Sequence, residues 1–199
     1  MKDYASLKDG ELIELAASSD QLAFQYLVKR HSGWAYGFVV KTVRDAESAW
    51  DIVQEAFVRV YRNLTEFRQE ASFNTWFHRI LYNLCVDHWR RKGKRLEVEY
   101  MDTLASDDAG PSGGSGFVYK SPEKTARHRE VVGLLEQALG ALSFDHRTII
   151  LMREIDGMSY EEIAEILGCP KGTVMSRLHH ARKNITDFLV QRGYISSEI

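Results

Sequence analysis

The sequence is poor in the residues that build disulfide scaffolds, metal sites and membrane spans. Its 199 residues include two cysteines and three prolines. Cys85 and Cys169 lie far apart, without C-x-x-C spacing or a nearby His pair at ligand spacing, so we expect reduced structural thiols and no metal or cofactor. No apolar run approaches the ~20 residues that cross a bilayer, and the start lacks a basic-then-apolar signal pattern. These absences predict a cytoplasmic protein without membrane insertion.

The sequence also lacks the patterns of sheets and of common active sites. No segment alternates with period two over a useful length, so we expect an all-α fold. There is no glycine-rich phosphate loop, metal-spaced His/Cys set or nucleophile elbow. An enzyme alternative would use Glu161/Glu162 or Asp51/Glu55 with a His as acid and base, but a helix cap and a polar helix face explain these carboxylates better. We therefore expect no enzyme activity and no catalytic residues.

Charge is almost balanced over the chain, at −2, but it is unevenly distributed. Residues 24–95 carry net +6 and end in a basic cluster over residues 90–95, while residues 96–126 carry net −4. Helical periodicity stops after Arg95, and residues 106–116 have the composition of a flexible linker. We predict two small helical domains, residues 1–95 and 127–199, joined by a flexible acidic linker over residues 96–126.

Apolar periodicity predicts most of the helices. In the first domain they run roughly over Glu11–Ala17, Gln21–Val43, Ala46–Asn63 and Thr75–Lys92. After the linker, the run Ser121-Pro122-Glu123 has the pattern of an N-cap, a helix-start proline and a first-turn acid. It predicts a helix that extends to about Gly140. A further helix is expected over His146–Ile155.

A helix-turn-helix is predicted over residues 157–182. Ser159 and Glu162 form a capping box, in which each side chain satisfies a free backbone N–H of the other residue. Gly168 can adopt the left-handed conformation that ends a helix, and Pro170 suits the start of the next one. The first helix is expected to bury a stripe made of Ile163, Ala164 and Leu167.

The second helix of this motif has two contrasting faces. No acidic residue lies between Glu165 and Asp187, whereas this interval contains four cations, so we expect the outer face to bind a polyanion such as DNA. The alternative is an ordinary solvated helix hairpin. A step of about 100° per residue places Val174, Leu178, Ala181 and Ile185 on the packing face, and Gly172, Ser176, His179, His180 and Lys183 on the outer face.

The predicted helix over Thr75–Lys92 is also two-faced. Phe77, Leu81, Leu84 and Cys85 share one face, and Trp76, Arg79, Asn83, Asp87 and Arg90 share the opposite one. The second set offers a ring for base stacking, charges for phosphates and an amide for a base edge. The alternative is that Trp76 is a core residue at the helix start and that the arginines only solubilise the surface.

Taken together, these stretches resemble a bacterial sigma factor of the extracytoplasmic-function group in the sigma-70 family. Residues 45–63 and 67–91 are similar to sigma region 2, and residues 157–182 are similar to region 4. Their order, their spacing and the linker between them match the family over roughly residues 10–190. A stand-alone helix-turn-helix regulator is the rival, but it explains only residues 121–190.

The resemblance implies a factor that binds core RNA polymerase through the β′ coiled coil and the β flap. It implies recognition of minus-10 and minus-35 promoter DNA, double-stranded and melted, transcription initiation, and control by an anti-sigma factor. The linker would thread through the polymerase cleft, although a passive tether is the alternative. The residues implied for core-polymerase binding are Asp51, Gln54, Glu55, Arg59 and Arg62, with Trp50, Val53, Phe57 and Val60 packing inward. Intrahelical ion pairs between the acidic and basic members of the first set are the alternative.

Two sets of DNA contacts also follow from the resemblance. For the minus-10 element, the implied pocket residues are Arg68, Gln69, Glu70 and Ser72, and those along the strand are Trp76, Arg79, Asn83, Arg90 and Arg91. For the minus-35 element, they are Lys171, Gly172, Thr173, Met175, Ser176, Arg177, His179, His180, Arg182 and Lys183. Met175 stands where many relatives carry Lys or Arg, which predicts a different or looser minus-35 preference.

Overall fold

The computed structural model describes residues 2–67, 72–103 and 126–194, with only the backbone described over 94–103 and 126–129. Every regular element within these ranges is helical, which confirms the expected fold class. The chain divides into two units, Met1–Asp108 and Ala109–Ile199.

Among the residues described in the first unit there are four α-helices. They are α1 Asp9–Ala17, α2 Gln21–Val43, α3 Ala46–Arg62 and α4 Phe73–Thr103, with a short 3-10 turn over Leu64–Glu66. Helix α2 packs against α1, α3 and α4, and α3 also packs against α4. The core between them is apolar and includes Leu12, Leu27, Val39, Val53, Phe77 and Leu81.

Local caps fix the ends of α2 and α3. The carboxylate of Asp20 accepts a hydrogen bond from the backbone N–H of Ala23 at 3.2 Å, which starts α2. Arg44, at φ +60°, ends it in the left-handed region. Asp45 then accepts backbone N–H bonds from the first turn of α3. The predicted bounds of α2 are therefore confirmed, and those of α3 differ by one residue.

Helix α4 is longer than the periodicity predicts. It begins at Phe73, two residues early, and its backbone is helical to Thr103, beyond the predicted end at Lys92. It continues through Gly93, because a single glycine lowers helix propensity by only about 1 kcal/mol. Residues 96–103 of the predicted linker are thus helical, and residues 104–125 lie outside the described residues, together with the predicted cap at Ser121.

The described part of the second unit, residues 126–194, also contains four α-helices, and one of them continues in a π-helical turn. The elements are α5 Ala126–Ala141, α6 Phe144–Ile150 with its π-helical turn over Leu151–Ile155, α7 Tyr160–Leu167 and α8 Lys171–Gln191. Helix α8 packs against α5, α6 and α7. The buried centre includes Ile149, Leu151, Met152, Ile163 and Leu178.

Two predictions in this unit need correction. The expected helix over His146–Ile155 ends in the wider π turn, where the N–H of Asp156 bonds to the carbonyl of Leu151 at 3.1 Å. In α7 the buried residues are Ile163 and Ile166, while Ala164 and Leu167 are only partly covered. Helix α7 packs against both the π turn and α8, so its buried stripe is turned toward Ile166.

Both cysteines are free thiols, as the sequence predicts. Cys85 is fully buried, and this burial raises the pKa of its thiol to about 12. The thiol therefore stays protonated at neutral pH, which suits a packing residue. In the described part of the chain, no helix is both long and apolar enough to cross a membrane.

Candidate nucleic-acid and polymerase interfaces

The turn before α8 has the geometry that the sequence predicts. Ser159 and Glu162 form the capping box, with the Ser159 N–H donating to Glu162 Oε2 at 2.8 Å and the Glu162 N–H donating to Ser159 Oγ at 3.2 Å. Gly168 lies at φ +61°, a conformation that costs a residue with a Cβ more than it costs glycine. Pro170 is the N-cap of α8. These residues set the direction in which α8 leaves α7.

The two faces of α8 are separated as expected. Val174, Leu178 and Ala181 are buried, while Ile185 is partly exposed near the helix end. Half of Met175 is exposed, at 52%. The other residues exposed on the outer face are Lys171, Gly172, Ser176, His179, His180 and Lys183, and Thr173 is partly covered. Helix α8 therefore presents one continuous polar surface opposite its packing face.

Three of the cations that the resemblance implies for minus-35 binding are paired with carboxylates of the same unit. Lys171 Nζ contacts Glu161 Oε1. Arg177 lies 3.6 Å from Asp145, and Arg182 lies 2.7 Å from Glu154. These partners were not predicted, because they belong to other elements and lie outside the acid-free interval of the sequence.

Two of the ion pairs shift the pKa of one of their members. The hydrogen bond from Lys171 lowers the pKa of the Glu161 carboxyl group below its usual range. The bond to Glu154 raises the pKa of the Arg182 guanidinium above its usual value. Both shifts favour the charged forms of Glu161 and Arg182.

Helix α4 presents the predicted polar face. Arg79, Asn83, Asp87 and Arg90 are exposed, and Phe77, Leu81, Leu84 and Cys85 are buried on the other side. Arg91 is exposed beside them, and its Nε donates to the carbonyl of Asp87 at 3.2 Å. The exposed face thus carries cations and an amide along about three helical turns.

Trp76 is partly buried, so it matches neither of the two predicted alternatives completely. Its ring lies 5.1 Å from that of Phe67 and 6.1 Å from that of Phe73, centroid to centroid. These contacts fix one side of the ring, yet the residue is only partly buried. An aromatic ring that is held in place and keeps part of its surface exposed is suited to base stacking.

The loop before α4 is described only at its ends. Ser72 is exposed and acts as a helix cap, because its Oγ accepts the N–H of Thr75 at 3.1 Å and contacts the Thr75 hydroxyl at 2.9 Å. Arg68, Gln69 and Glu70 lie outside the described residues. Their assignment to a base pocket stays a prediction.

An exposed tryptophan on α4 was missed by the sequence analysis. Trp89 is 57% exposed, the largest exposed fraction among the large hydrophobic residues described. Trp89 lies seven residues after Tyr82 and three residues after Val86, so the three side chains lie on the same side of the helix. This side is the flank between the core face and the polar face. Only the two opposite faces were considered from the sequence, although an aromatic residue directly before Arg90 was a usable signal.

Helix α3 exposes the polar residues implied for polymerase binding. Asp51, Gln54, Glu55 and Arg62 are exposed, and Arg59 is partly covered. Glu55 and Arg59 form an intrahelical ion pair at 3.0 Å, as the alternative interpretation expected. A surface pair of this kind contributes about 0.3–0.5 kcal/mol, so it leaves the face available for a partner.

Trp50 does not pack inward, contrary to the prediction. It is 48% exposed and stacks on Tyr36 at 4.4 Å between ring centroids, whereas Val53, Phe57 and Val60 are buried as expected. Trp50 lies about 80° from the centre of the buried stripe on the helical wheel, so it reaches only the edge of the core. Val58 and Tyr61 are also exposed on α3. The solvent side of this helix is therefore partly apolar, and its Trp50 and Tyr61 are of the aromatic types that are enriched in protein interfaces.

Sequence comparison identifies two matching families. Residues 27–95 match sigma-70 region 2, and residues 133–185 match sigma-70 region 4. The RNA polymerase sigma-H factor of Pseudomonas aeruginosa is 36% identical over 179 residues, covering 89% of this chain and 92% of that protein. The ECF RNA polymerase sigma-E factor of Escherichia coli is also 36% identical, over 90% of this chain and 93% of that protein.

A solved structure is similar over nearly the same length. It is the structure of CnrH in complex with the cytosolic domain of CnrY, with a TM-score of 0.62 and 26% sequence identity. The match covers 91% of this chain and 96% of that one. These matches include both helical units, and the stand-alone helix-turn-helix alternative does not account for the first of them.

Proposed function

This chain belongs to the extracytoplasmic-function group of the sigma-70 family, and we propose that it directs core RNA polymerase to promoters through three separate surfaces. As a sigma factor it binds core polymerase, recognises minus-10 and minus-35 elements and starts transcription. Such factors do no bond chemistry, and we assign this chain no enzyme activity. It acts together with RNA polymerase in the cytoplasm.

The first surface is the solvent side of α3, which we assign to the β′ coiled coil of core polymerase. Asp51, Gln54, Glu55, Arg59 and Arg62 supply polar contacts. Trp50 and Tyr61 add apolar area that a partner helix can bury. The second unit would meet the β flap.

The second surface is the polar face of α4, which we assign to the melted minus-10 strand. One observation supports it most strongly: Trp76, Arg79, Asn83 and Arg90 share one face of a helix whose opposite face is buried. Extruding a base from the duplex costs a few kcal/mol, which ring stacking and hydrogen bonds offset. Arg68, Gln69, Glu70 and Ser72 would form the pocket for the extruded base.

The third surface is the outer face of α8, which we assign to the major groove of the minus-35 element. In a helix-turn-helix the first turns of the second helix read base edges. These turns carry Lys171, Gly172, Thr173, Met175 and Ser176. The residues that follow, Arg177, His179, His180, Arg182 and Lys183, can reach the phosphates.

An anti-sigma factor is the expected control of this protein. The similar protein CnrH is bound to the cytosolic domain of CnrY in its solved structure. A partner of this kind would cover polymerase-binding surfaces such as the solvent side of α3. Release of the partner would then expose them.

Runoff transcription with purified core polymerase tests these assignments. Asn83→Ala is expected to lower transcript yield about tenfold, because loss of one base contact costs roughly 1–3 kcal/mol. Arg177→Ala should lower the yield on promoters that depend on a minus-35 element. The control is Gln191→Ala, which removes an exposed amide at the end of α8. Unchanged yield from Asn83→Ala would remove the α4 face from the proposal.

Met175 predicts a distinct minus-35 preference. Met175→Arg is expected to enrich guanine at one position of the selected minus-35 sequences, because an Arg fork bonds guanine bidentately with about 1–3 kcal/mol of discrimination. Binding-site selection with the holoenzyme measures this change. Met175→Leu is the matched control, since it keeps an apolar side chain of similar size. Selection of the same bases by the Met175→Arg and unmodified proteins would contradict the prediction.

A further inference from the structure

Three of the four cations in the acid-free interval of α8 are paired with carboxylates that come from three different elements. Glu161 lies in the first turn of α7, Asp145 in the first turn of α6, and Glu154 in the π turn. Their partners are Lys171, Arg177 and Arg182. Each cation thus has its own carboxylate.

The pairs extend along most of the DNA-facing part of α8. Arg177 lies six residues after Lys171, and Arg182 lies eleven residues after Lys171. These separations correspond to about 9 and 16 Å along the helix axis. Only Lys183, among the four cations of the acid-free interval, has no carboxylate partner within the described residues. The charge that α8 offers to DNA is therefore much smaller than its sequence suggests.

We propose that Glu161, Asp145 and Glu154 determine selectivity by restraining the charge-driven attraction of α8 to DNA. This inference rests on the proposed minus-35 role of α8. Phosphate contacts hold a protein on any duplex and carry no sequence information, whereas base contacts specify the site. Carboxylates that compete for the cations weaken the first kind of contact, whereas base contacts from uncharged residues such as Thr173 and Ser176 are unaffected.

The pairs are weak enough to exchange with phosphate, so they restrain binding without preventing it. The side chains of Lys171 and Glu161 are 53% and 66% exposed, and exposed pairs of this kind are easily broken. A phosphate that takes over the cation must then lie near the released carboxylate. The repulsion between the two anions lowers the gain from each phosphate contact.

The Glu154–Arg182 pair is built more firmly than the others. Both Nε and one terminal nitrogen of Arg182 donate to Glu154 Oε1, at 3.1 and 2.7 Å. Arg153, the residue before Glu154, donates to the carbonyl of Met158 at 2.6 Å and lies over the ring of Tyr160. These bonds hold the π turn against the start of α7, which keeps Glu154 in reach of α8.

Titration of the full-length protein with random-sequence duplex DNA at several salt concentrations tests the inference. Glu161→Gln, Glu154→Gln and Asp145→Asn are each expected to raise the affinity for random duplex at least threefold. Each freed cation should also steepen the slope of log affinity against log salt by up to about 0.9. Asp187→Asn is the control, because it changes the net charge equally at an exposed position near the end of α8.

A double-mutant cycle separates the pair from a general charge effect. In a Lys171→Gln background, Glu161→Gln should no longer raise the affinity, because the cation it would free is absent. The inference is overturned if the single variants bind random duplex no better than the unmodified protein. It is also overturned if the gain persists in the Lys171→Gln background or appears equally in Asp187→Asn.

Runoff transcription on a minus-35-dependent promoter distinguishes this failure from failure of the proposed function. If the unmodified protein supports specific transcripts that Arg177→Ala reduces, the minus-35 role stands and the titration alone decides the role of the carboxylates. If Arg177→Ala has no effect on transcription, the minus-35 assignment itself fails, whatever the titration gives.

Discussion

Phe77→Ala is expected to lower the free energy of unfolding of the first unit by about 3–5 kcal/mol. Phe77 is fully buried in α4, and its ring lies 4.8 Å from that of Phe57, 5.4 Å from that of Phe73 and 5.9 Å from that of Trp34. Truncation removes the buried ring and leaves a cavity between α2, α3 and α4. The three helices pack on one another, so they cannot move together enough to fill it. Because α4 also carries Trp76, Arg79 and Asn83, promoter opening should fall with stability.

Tryptophan fluorescence during denaturant unfolding measures this effect in the full-length protein. The four tryptophans, at positions 34, 50, 76 and 89, all belong to the first unit, so the signal excludes unfolding of the second. Val58→Ala is the control, because Val58 is exposed on α3 and its truncation should cost less than about 1 kcal/mol. Equal losses in the two variants would contradict the assigned core.

Arg147→Met is expected to lower the free energy of unfolding of the second unit by about 3 kcal/mol. Arg147 is 8% exposed and closes the end of α5 by donating to the carbonyls of Leu139 at 2.9 Å, Leu142 at 2.7 Å and, more loosely, Gly140 at 3.4 Å. Methionine keeps most of the apolar stem and loses every donor. The carbonyl of Leu139 keeps the N–H of Leu142 as a partner at 3.2 Å, whereas the carbonyl of Leu142 loses its guanidinium donor in a buried place.

Circular dichroism follows the helices of both units, whereas tryptophan fluorescence follows only the first. The transition that circular dichroism alone detects is therefore the unfolding of the second unit, and its free energy measures this loss. Arg192→Met is the matched control, because it makes the same chemical change at an exposed residue whose guanidinium bonds Gln137 at 2.6 Å. We expect the control to change stability by less than about 1 kcal/mol. A small effect from Arg147→Met would show that water replaces the guanidinium at the end of α5.

The exposed faces of α4 and α8 were predicted from sequence more fully than their electrostatics. Periodicity identified the buried and exposed sides of α4 and α8, because a helix repeats every 3.6 residues whatever it packs against. It did not identify Glu161, Asp145 and Glu154 as partners of the α8 cations. These residues are 10, 32 and 28 positions away from their partners, and the approach of separate helices brings them together.

The exposure of residues at the edges of helix faces could not be predicted from the sequence either. Trp50 lies at the boundary of the buried stripe on α3, where the helical wheel permits either burial or exposure. Packing against α2 places it on Tyr36 with half its surface in solvent. For the same reason Trp89, on the flank of α4, was not recognised as exposed. A residue near the centre of a stripe can be assigned from its spacing, whereas one at the edge depends on the width of the neighbouring helix.

The sequence by itself determined the helices, their principal faces and the family to which the chain belongs. The reason is that capping bonds and backbone hydrogen bonds join residues at most about four apart, as Asp20, Asp45 and Ser159 illustrate. Only the tertiary structure decided that Arg147 is buried as a cap for α5 and that α8 presents paired cations instead of free ones. Both features depend on side chains from different elements meeting at less than 4 Å, and that distance is set by packing of the whole unit.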